Sequence, residues 1–247
     1  MKNRISDKGR LKRHHSNQTY RPWIRVHDFS SKGLVSRIYS ELTGRVHHLL
    51  SQLETKVFYW CEWFAKEIKE QYALLPLSET IEIAALAGLH HPQVNGAEVI
   101  MSTDFLVDLD EGPIAISVKP SSKLTARTLA KLEIERQYFE RRKIPYYIIT
   151  EKEIPEIFIK NICLARQAAK RPDISVSDNK FLSDLIQYPE ANGSILQTLQ
   201  KMAIQYECTY PELKNLYLHL IWKKRISFDL SVKHAMDLKK GDYDITN

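Results

Sequence analysis

The chain has 247 residues, 43% of them apolar and 27% charged, with a formal net charge of +6. That is enough apolar material for one sizeable domain or two small ones without metal or disulfide staples. No apolar run reaches the roughly 20 residues of a membrane helix, no hydrophobic stretch of a secretory signal follows the basic start, and Cys61, Cys163 and Cys208 are too few and too far apart for a disulfide framework or a zinc site.

In chain order, residues 1–25 carry Lys2, Arg4, Lys8, Arg10, Lys12, Arg13, Arg21 and Arg25 against Asp7, a net +7 that leaves the remainder near −1. Residues 1–19 read as a basic flexible arm suited to a polyanion, the alternative being a solubilising tail. The packed part begins at Tyr20-Arg-Pro-Trp23. Apolar residues from Val46 to Ile68 recur at helical spacing, so one helix is expected over 46–71, with Glu54 in its middle. Residues 81–89 read as helical or mixed and end at His90-His91-Pro92. Strands are expected over 99–109 and 114–118, joined across Asp110-Glu111-Gly112-Pro113. A helix over 124–142, a strand over 146–150 and a helix over 154–170 follow. Arg171-Pro172-Asp173 marks the expected domain boundary, so 20–170 forms one domain and 171–247 another. The second holds helices over 178–187, 192–205 and 210–222 and an alternating segment over 225–230, the pattern of a small helix-turn-helix or winged-helix module.

Asp104 and Lys119 stand on the two adjacent strands, and Ser117 shares a face with Lys119. An acid within an apolar strand is costly unless a metal or hydrogen bonds compensate it. Phosphodiester cleavage needs an in-line water and stabilisation of charge on phosphorus and on the leaving oxygen, which Mg²⁺ can supply. Mg²⁺ takes hard oxygen ligands and few carboxylates. Glu54, Asp104 and the Val118 carbonyl suit that demand, with Lys119 orienting the water or offsetting phosphate charge. A plain Asp104–Lys119 salt bridge is the structural alternative, and on motif evidence alone it is the commoner outcome. His47-His48 and His90-His91 lack the helical spacing of a zinc site and read as polar surface or DNA-facing residues. Glu133 and Glu135 point to different faces of their helix. One of them approaches the metal pocket or Lys119, unless both are solvated. Trp60 and Trp63 read as packing residues.

Together, Tyr20-Arg-Pro-Trp23, Gly44-Arg-Val-His-His-Leu-Leu-Ser-Gln-Leu-Glu54, Thr103-Asp-Phe-Leu, Val118-Lys-Pro and Leu132-Glu-Ile-Glu-Arg136 resemble the TnsA family, the endonuclease subunits of heteromeric cut-and-paste transposases. The likeness runs from residue 20 over nearly the whole chain. It implies an α/β fold with a restriction-endonuclease-like N-terminal domain, a mixed sheet flanked by helices, and a small C-terminal winged-helix-like domain. The family's catalytic positions fall on Glu54, Asp104 and Lys119. Position 117, usually Gln in the family, is Ser117 here. The resemblance further implies cleavage at the 5′ ends of a transposon, a TnsB-type DDE transposase partner and a TnsC-type AAA⁺ ATPase regulator. The cation expected from the residues is Mg²⁺, with Mn²⁺ as a substitute, and the compartment expected, given neither a membrane run nor a secretory signal, is the bacterial cytoplasm. Two other readings stand beside it. One is a free-standing restriction or repair nuclease. The other is a DNA-binding adaptor with an inactive nuclease centre.

Overall fold

The computed structural model describes residues 9–11, 20–28, 34–188 and 193–246. The chain divides into two compact units, residues 1–154 and 155–247. The first sheet element of the first unit is an antiparallel hairpin, β1 (Ser36–Ser40) and β2 (Arg45–Leu49), closed through Gly44 at φ 64°, a left-handed conformation that suits glycine. Then come α1 (Gln52–Phe64), β3 (Glu67–Ala73), α2 (Leu77–Leu86), a small hairpin β4 (Gln93–Val94) and β5 (Ala97–Glu98), β6 (Ser102–Leu109), β7 (Gly112–Val118), α3 (Ala126–Glu140) and β8 (Tyr146–Ile149).

The single helix expected over 46–71 is thus a strand, a helix and a strand. Ser51 ends the run as the α1 N-cap, its side chain accepting from Glu54 N. Upstream of it, His47 and Leu49 are buried while Val46 is exposed, the alternation of a half-buried strand. Downstream, Ala65 is extended and turns the chain into β3.

The central sheet has the order β3-β6-β7-β8. β3, β6 and β7 are antiparallel neighbours, and β8 runs parallel to β7. A parallel neighbour needs a crossover, which α3 supplies. Leu74, Met101 and Ala115 pack with Ile83 and Ala84 of α2 and Ile134, Tyr138 and Phe139 of α3 on one side of the sheet. Val57, Phe58 and Cys61 of α1, and Phe105, Val107 and Ile116 of the strands, are buried as well. Each large apolar side chain contributes about 1.5–3 kcal/mol on burial. Trp60 and Trp63 are half-buried on α1. Residues 9–11 are helical, and Leu11 packs against the cluster of Trp23, Ala73 and Ile100. The rest of the basic arm expected over 1–19, with Lys2, Arg4, Lys8, Lys12 and Arg13, lies outside the described residues.

The second unit holds α4 (Glu156–Gln167), α5 (Asp178–Gln187), α6 (Ile195–Gln205), α7 (Tyr210–Trp222) and a two-residue antiparallel pair, β9 (Ile226–Ser227) with β10 (Asp244–Ile245). Ser177, Ser194 and Thr209 cap α5, α6 and α7, and the last two complete capping boxes with Gln197 and Glu212. The unit begins at Pro155, ahead of the expected boundary at Arg171, because α4 belongs with it. Ile162 and Ala165 of α4 are fully buried. Asn161 donates to Leu230 O at 2.9 Å and Lys233 O at 2.8 Å and accepts from Ala235 N at 2.8 Å. Among the described residues, no helix is long and apolar enough to cross a membrane.

Candidate active site

In the β6–β7 register Phe105 stands opposite Ile116, so Asp104 falls beside Ser117 on the next rung. Its Oδ2 accepts from Lys119 Nζ at 2.6 Å, from Val118 N at 2.6 Å and, more weakly, from Ser117 Oγ at 3.3 Å. Lys119 Nζ also donates to Val118 O at 2.9 Å and Ser117 Oγ at 3.2 Å. The lysine side chain is 29% exposed and that of Asp104 11%, so the pair borders solvent.

Glu54 enters from α1. The Ser51 cap fixes it at the third helical position, where Leu50 N donates to its Oε2 at 3.0 Å and Ser51 Oγ to its Oε1 at 3.1 Å. One nitrogen joins it to Asp104: Gln71 Nε2 donates to Glu54 Oε2 at 3.4 Å and to Asp104 Oδ1 at 3.2 Å. The structure therefore brings Glu54, Asp104, Ser117, Val118 and Lys119 to one place. It adds two groups. Glu135 of α3 is buried and accepts from Tyr146 Oη at 3.0 Å, whereas Glu133 is exposed and paired with Arg136. Gln71, not singled out from the sequence, is the other.

The cluster is over-supplied with negative charge. Burial, and then the neighbouring Asp104 charge, push the Glu54 carboxyl up to about 7 against its hydrogen bonds and Lys119. Burial likewise raises Glu135 to about 7, with Lys119 working in the opposite direction. Burial alone would lower the Lys119 ammonium, but Asp104, Glu135 and Glu54 outweigh it and hold it above the ordinary lysine value. Three carboxylates thus face one ammonium, and full ionisation leaves two negative charges uncompensated. The oxygens on offer are hard donors. Among the described residues, no group of three or more His, Cys, Asp or Glu could hold a metal. A cation here would rest on two carboxylates, neutral oxygens and water, the manner in which Mg²⁺ binds.

Glu70, next to Gln71, is also buried, but its surroundings are balanced. Arg45 donates to both of its carboxylate oxygens, at 2.9 and 2.6 Å, and His47 Nδ1 lies 2.9 Å from Oε2. Burial would raise its pKa, but His47 and Arg45 outweigh burial and hold it below the ordinary value. His47 is fully buried, its Nε2 2.7 Å from Thr43 Oγ1, so it cannot face DNA as expected from sequence. The strand period turns it inward and its neighbour outward. His48 lines a groove of about 680 Å³ with Arg21, Arg25 and Arg45. Arg10 lies with its guanidinium 5.9 Å from the Trp23 ring centroid. His91 is turned in as well, with Nδ1 2.6 Å from Glu98 and Nε2 3.0 Å from Thr80, while His90 is exposed.

Comparison with known proteins identifies the family. Residues 65–151 match the family model described as TnsA-like endonuclease N terminal. That span holds Gln71, Asp104, Lys119 and Glu135 and begins after Glu54. The chain is also 42% identical over 196 residues to the transposon Tn7 transposition protein TnsA of Escherichia coli, an alignment that covers 76% of this chain and 71% of that protein. The chain therefore belongs to the TnsA family of transposition endonucleases.

Proposed function

We propose that this chain is a Mg²⁺-dependent DNA endonuclease that cuts the 5′ ends of a transposon inside a heteromeric transposase. The observation that carries the reading is the junction of Glu54 and Asp104 through a single amide, with Lys119 on the same aspartate oxygen. Two close carboxylates and an excess of negative charge suit a divalent cation. Glu54, Asp104 and the Val118 carbonyl would hold Mg²⁺ or Mn²⁺, which when bound polarises a phosphate oxygen and lowers the pKa of water. Lys119, tied to Asp104 and Val118 O, is placed to orient the attacking water or offset charge on the phosphate. Ser117 Oγ, with a short reach, holds Lys119 Nζ and Asp104 Oδ2 in register. Glu135 acts on Lys119 through its charge, favouring the protonated ammonium.

DNA is the substrate and partner of this reading. Arg21, Arg25 and His48 line a groove suited to a phosphate backbone, which positions without reading sequence, while Arg45 in the same groove is already paired with Glu70. Arg10 and the basic residues 2–13 add affinity that weakens with salt. Site choice then comes from a TnsB-type DDE transposase, and activation from a TnsC-type AAA⁺ ATPase. We read the C-terminal unit as winged-helix-like, since α5, α6 and α7 are followed by the antiparallel β9–β10 pair. The protein would act in the bacterial cytoplasm.

Replacing Asp104 with Ala removes a cation ligand and should lower 5′-strand cleavage of end-labelled transposon DNA at least about 100-fold, with assembly on the partner transposase retained. Undiminished 5′ cleavage by that variant would overturn the assignment. Cutting by the unaltered protein in the absence of the transposase would favour the free-standing nuclease instead.

A further inference from the structure

The amide of Gln71 is held in an unusual way. Its backbone φ is 48°, a left-handed value uncommon outside glycine. The pairing of β3 with β6 runs on either side of it, with Glu70 opposite Phe105 and Tyr72 opposite Thr103, so Gln71 comes beside Asp104. Trp23 N donates to the Gln71 carbonyl at 2.9 Å and fixes the turned backbone. A non-glycine residue in this conformation persists only where its surroundings hold it, and such residues gather at functional sites.

The side chain, by contrast, is loosely held. Its contacts are 3.4 Å to Glu54, 3.2 Å to Asp104 and 3.3 Å from Ser102 Oγ to its Oε1, all longer than the usual N–H···O or O–H···O distance. A hydroxyl both donates and accepts. Ser102 can therefore accept from Nε2 as well as donate to Oε1, and the amide can turn over without losing that partner. In one orientation the N–H group sits between two carboxylates as a neutral place-holder. In the other the same position presents an oxygen.

We infer that Gln71 is a third protein side chain on the divalent-cation site, turning its amide to offer Oε1 when the cation enters between Glu54 and Asp104. The inference rests on the cation-dependent reading above and deepens it by naming a ligand. Three oxygens from strands, those of Gln71, Asp104 and the Val118 carbonyl, and one from a helix, that of Glu54, would then surround a hard ion, with water in the remaining positions.

The test is Mn²⁺ binding to the full chain, measured by calorimetry and by the loss of free-ion EPR signal, with no DNA and no turnover. Gln71→Met keeps the length and loses the oxygen, and should weaken Mn²⁺ by about tenfold or more. Gln71→Glu should bind at least as tightly as the unaltered chain. That variant separates ligation from a structural role when both variants are compared in about 1 M KCl, which screens the general pull of the added charge: a mere hydrogen-bond donor is lost in both variants, and the two would then bind Mn²⁺ alike. It also gives a readable result where Gln71→Met is poorly folded by its melting curve in EDTA. Asp104→Asn serves as the reference. If it loses Mn²⁺ while Gln71→Met and Gln71→Glu match the unaltered chain, Gln71 is no ligand and the cation site stands. If Asp104→Asn binds Mn²⁺ normally, the cation site itself is wrong.

Discussion

Glu70 and Gln71 are neighbours on β3, yet they belong to two buried polar clusters of opposite balance. Around Glu70, a guanidinium, an imidazole and the backbone N–H of His48 converge on one carboxylate, and its pKa is held down. Around Gln71, carboxylates outnumber the ammonium, and both Glu54 and Glu135 are driven up to about 7. The first cluster is complete and serves the fold. It joins Arg45 of the hairpin to Ile68 O and Glu70 of β3, and Tyr20 Oη donates to Glu70 O at 2.7 Å. The second is short of positive charge, an imbalance that the proposed dication would offset. Burial of charge is therefore uninformative by itself; the sign of the mismatch separates structure from function.

The contrast can be broken most strongly at Glu70. Glu70→Gln leaves the Arg45 guanidinium without its anion and should lower stability at pH 7 by about 3 kcal/mol, read from urea unfolding. The Glu70 carboxyl is lower in the folded state than in the unfolded chain, so its contribution is full above the ordinary value of 4.5 and is lost as pH falls through the folded value. The gap between the two proteins should close on acidification. A gap that stays constant down to pH 3 would contradict the assignment.

A smaller effect of opposite sign is expected at Glu135. Its folded value of about 7 exceeds the ordinary 4.5, so the folded state holds the proton longer and loses stability as pH rises between those values. In EDTA, Glu135→Gln should match the unaltered chain near pH 5 and exceed it by about 2 kcal/mol at pH 8. A variant less stable than its parent at pH 8 would show that Glu135 belongs with the Glu70 type. The smallest effect separates the adjacent histidines. His48→Ala should change stability by less than about 0.5 kcal/mol while weakening DNA binding by about threefold. His47→Ala should do the reverse, with unfolding as its main readout.

Much of this was legible in the sequence. Asp104 and Lys119 sat on strands bounded by Gly112-Pro113, and strand period alone put Ser117 with Lys119. The helix over 126–140 and the strand at Tyr146 followed from composition and from Pro145 between them. Less visible was the start of α1. Leucine and valine from 46 onward fit a helical period, but Ser51-Gln-Leu-Glu54 is a capping-box pattern that marks a helix beginning at 52. Reading it would have freed residues 45–49 for a strand and turned His47 inward. The boundary at Pro155 was hidden because Arg171-Pro172-Asp173 is the stronger local punctuation, while α4 is tied to residues 230–235 by Asn161, a contact no local pattern carries. Gln71 had no signal at all. Its role depends on a left-handed backbone and on a cross-strand neighbour thirty-three positions away.

The central claim is that Glu54, Asp104 and Lys119 surround one divalent-cation site. Crystals of the full chain grown with MnCl₂ test it most directly, through anomalous difference density at the manganese edge. A single strong peak between the carboxylates of Glu54 and Asp104, beside Val118 O, is the predicted result. Ordered Mn²⁺ elsewhere in the crystal, with flat density at that position and Lys119 still closed on Asp104, would contradict it.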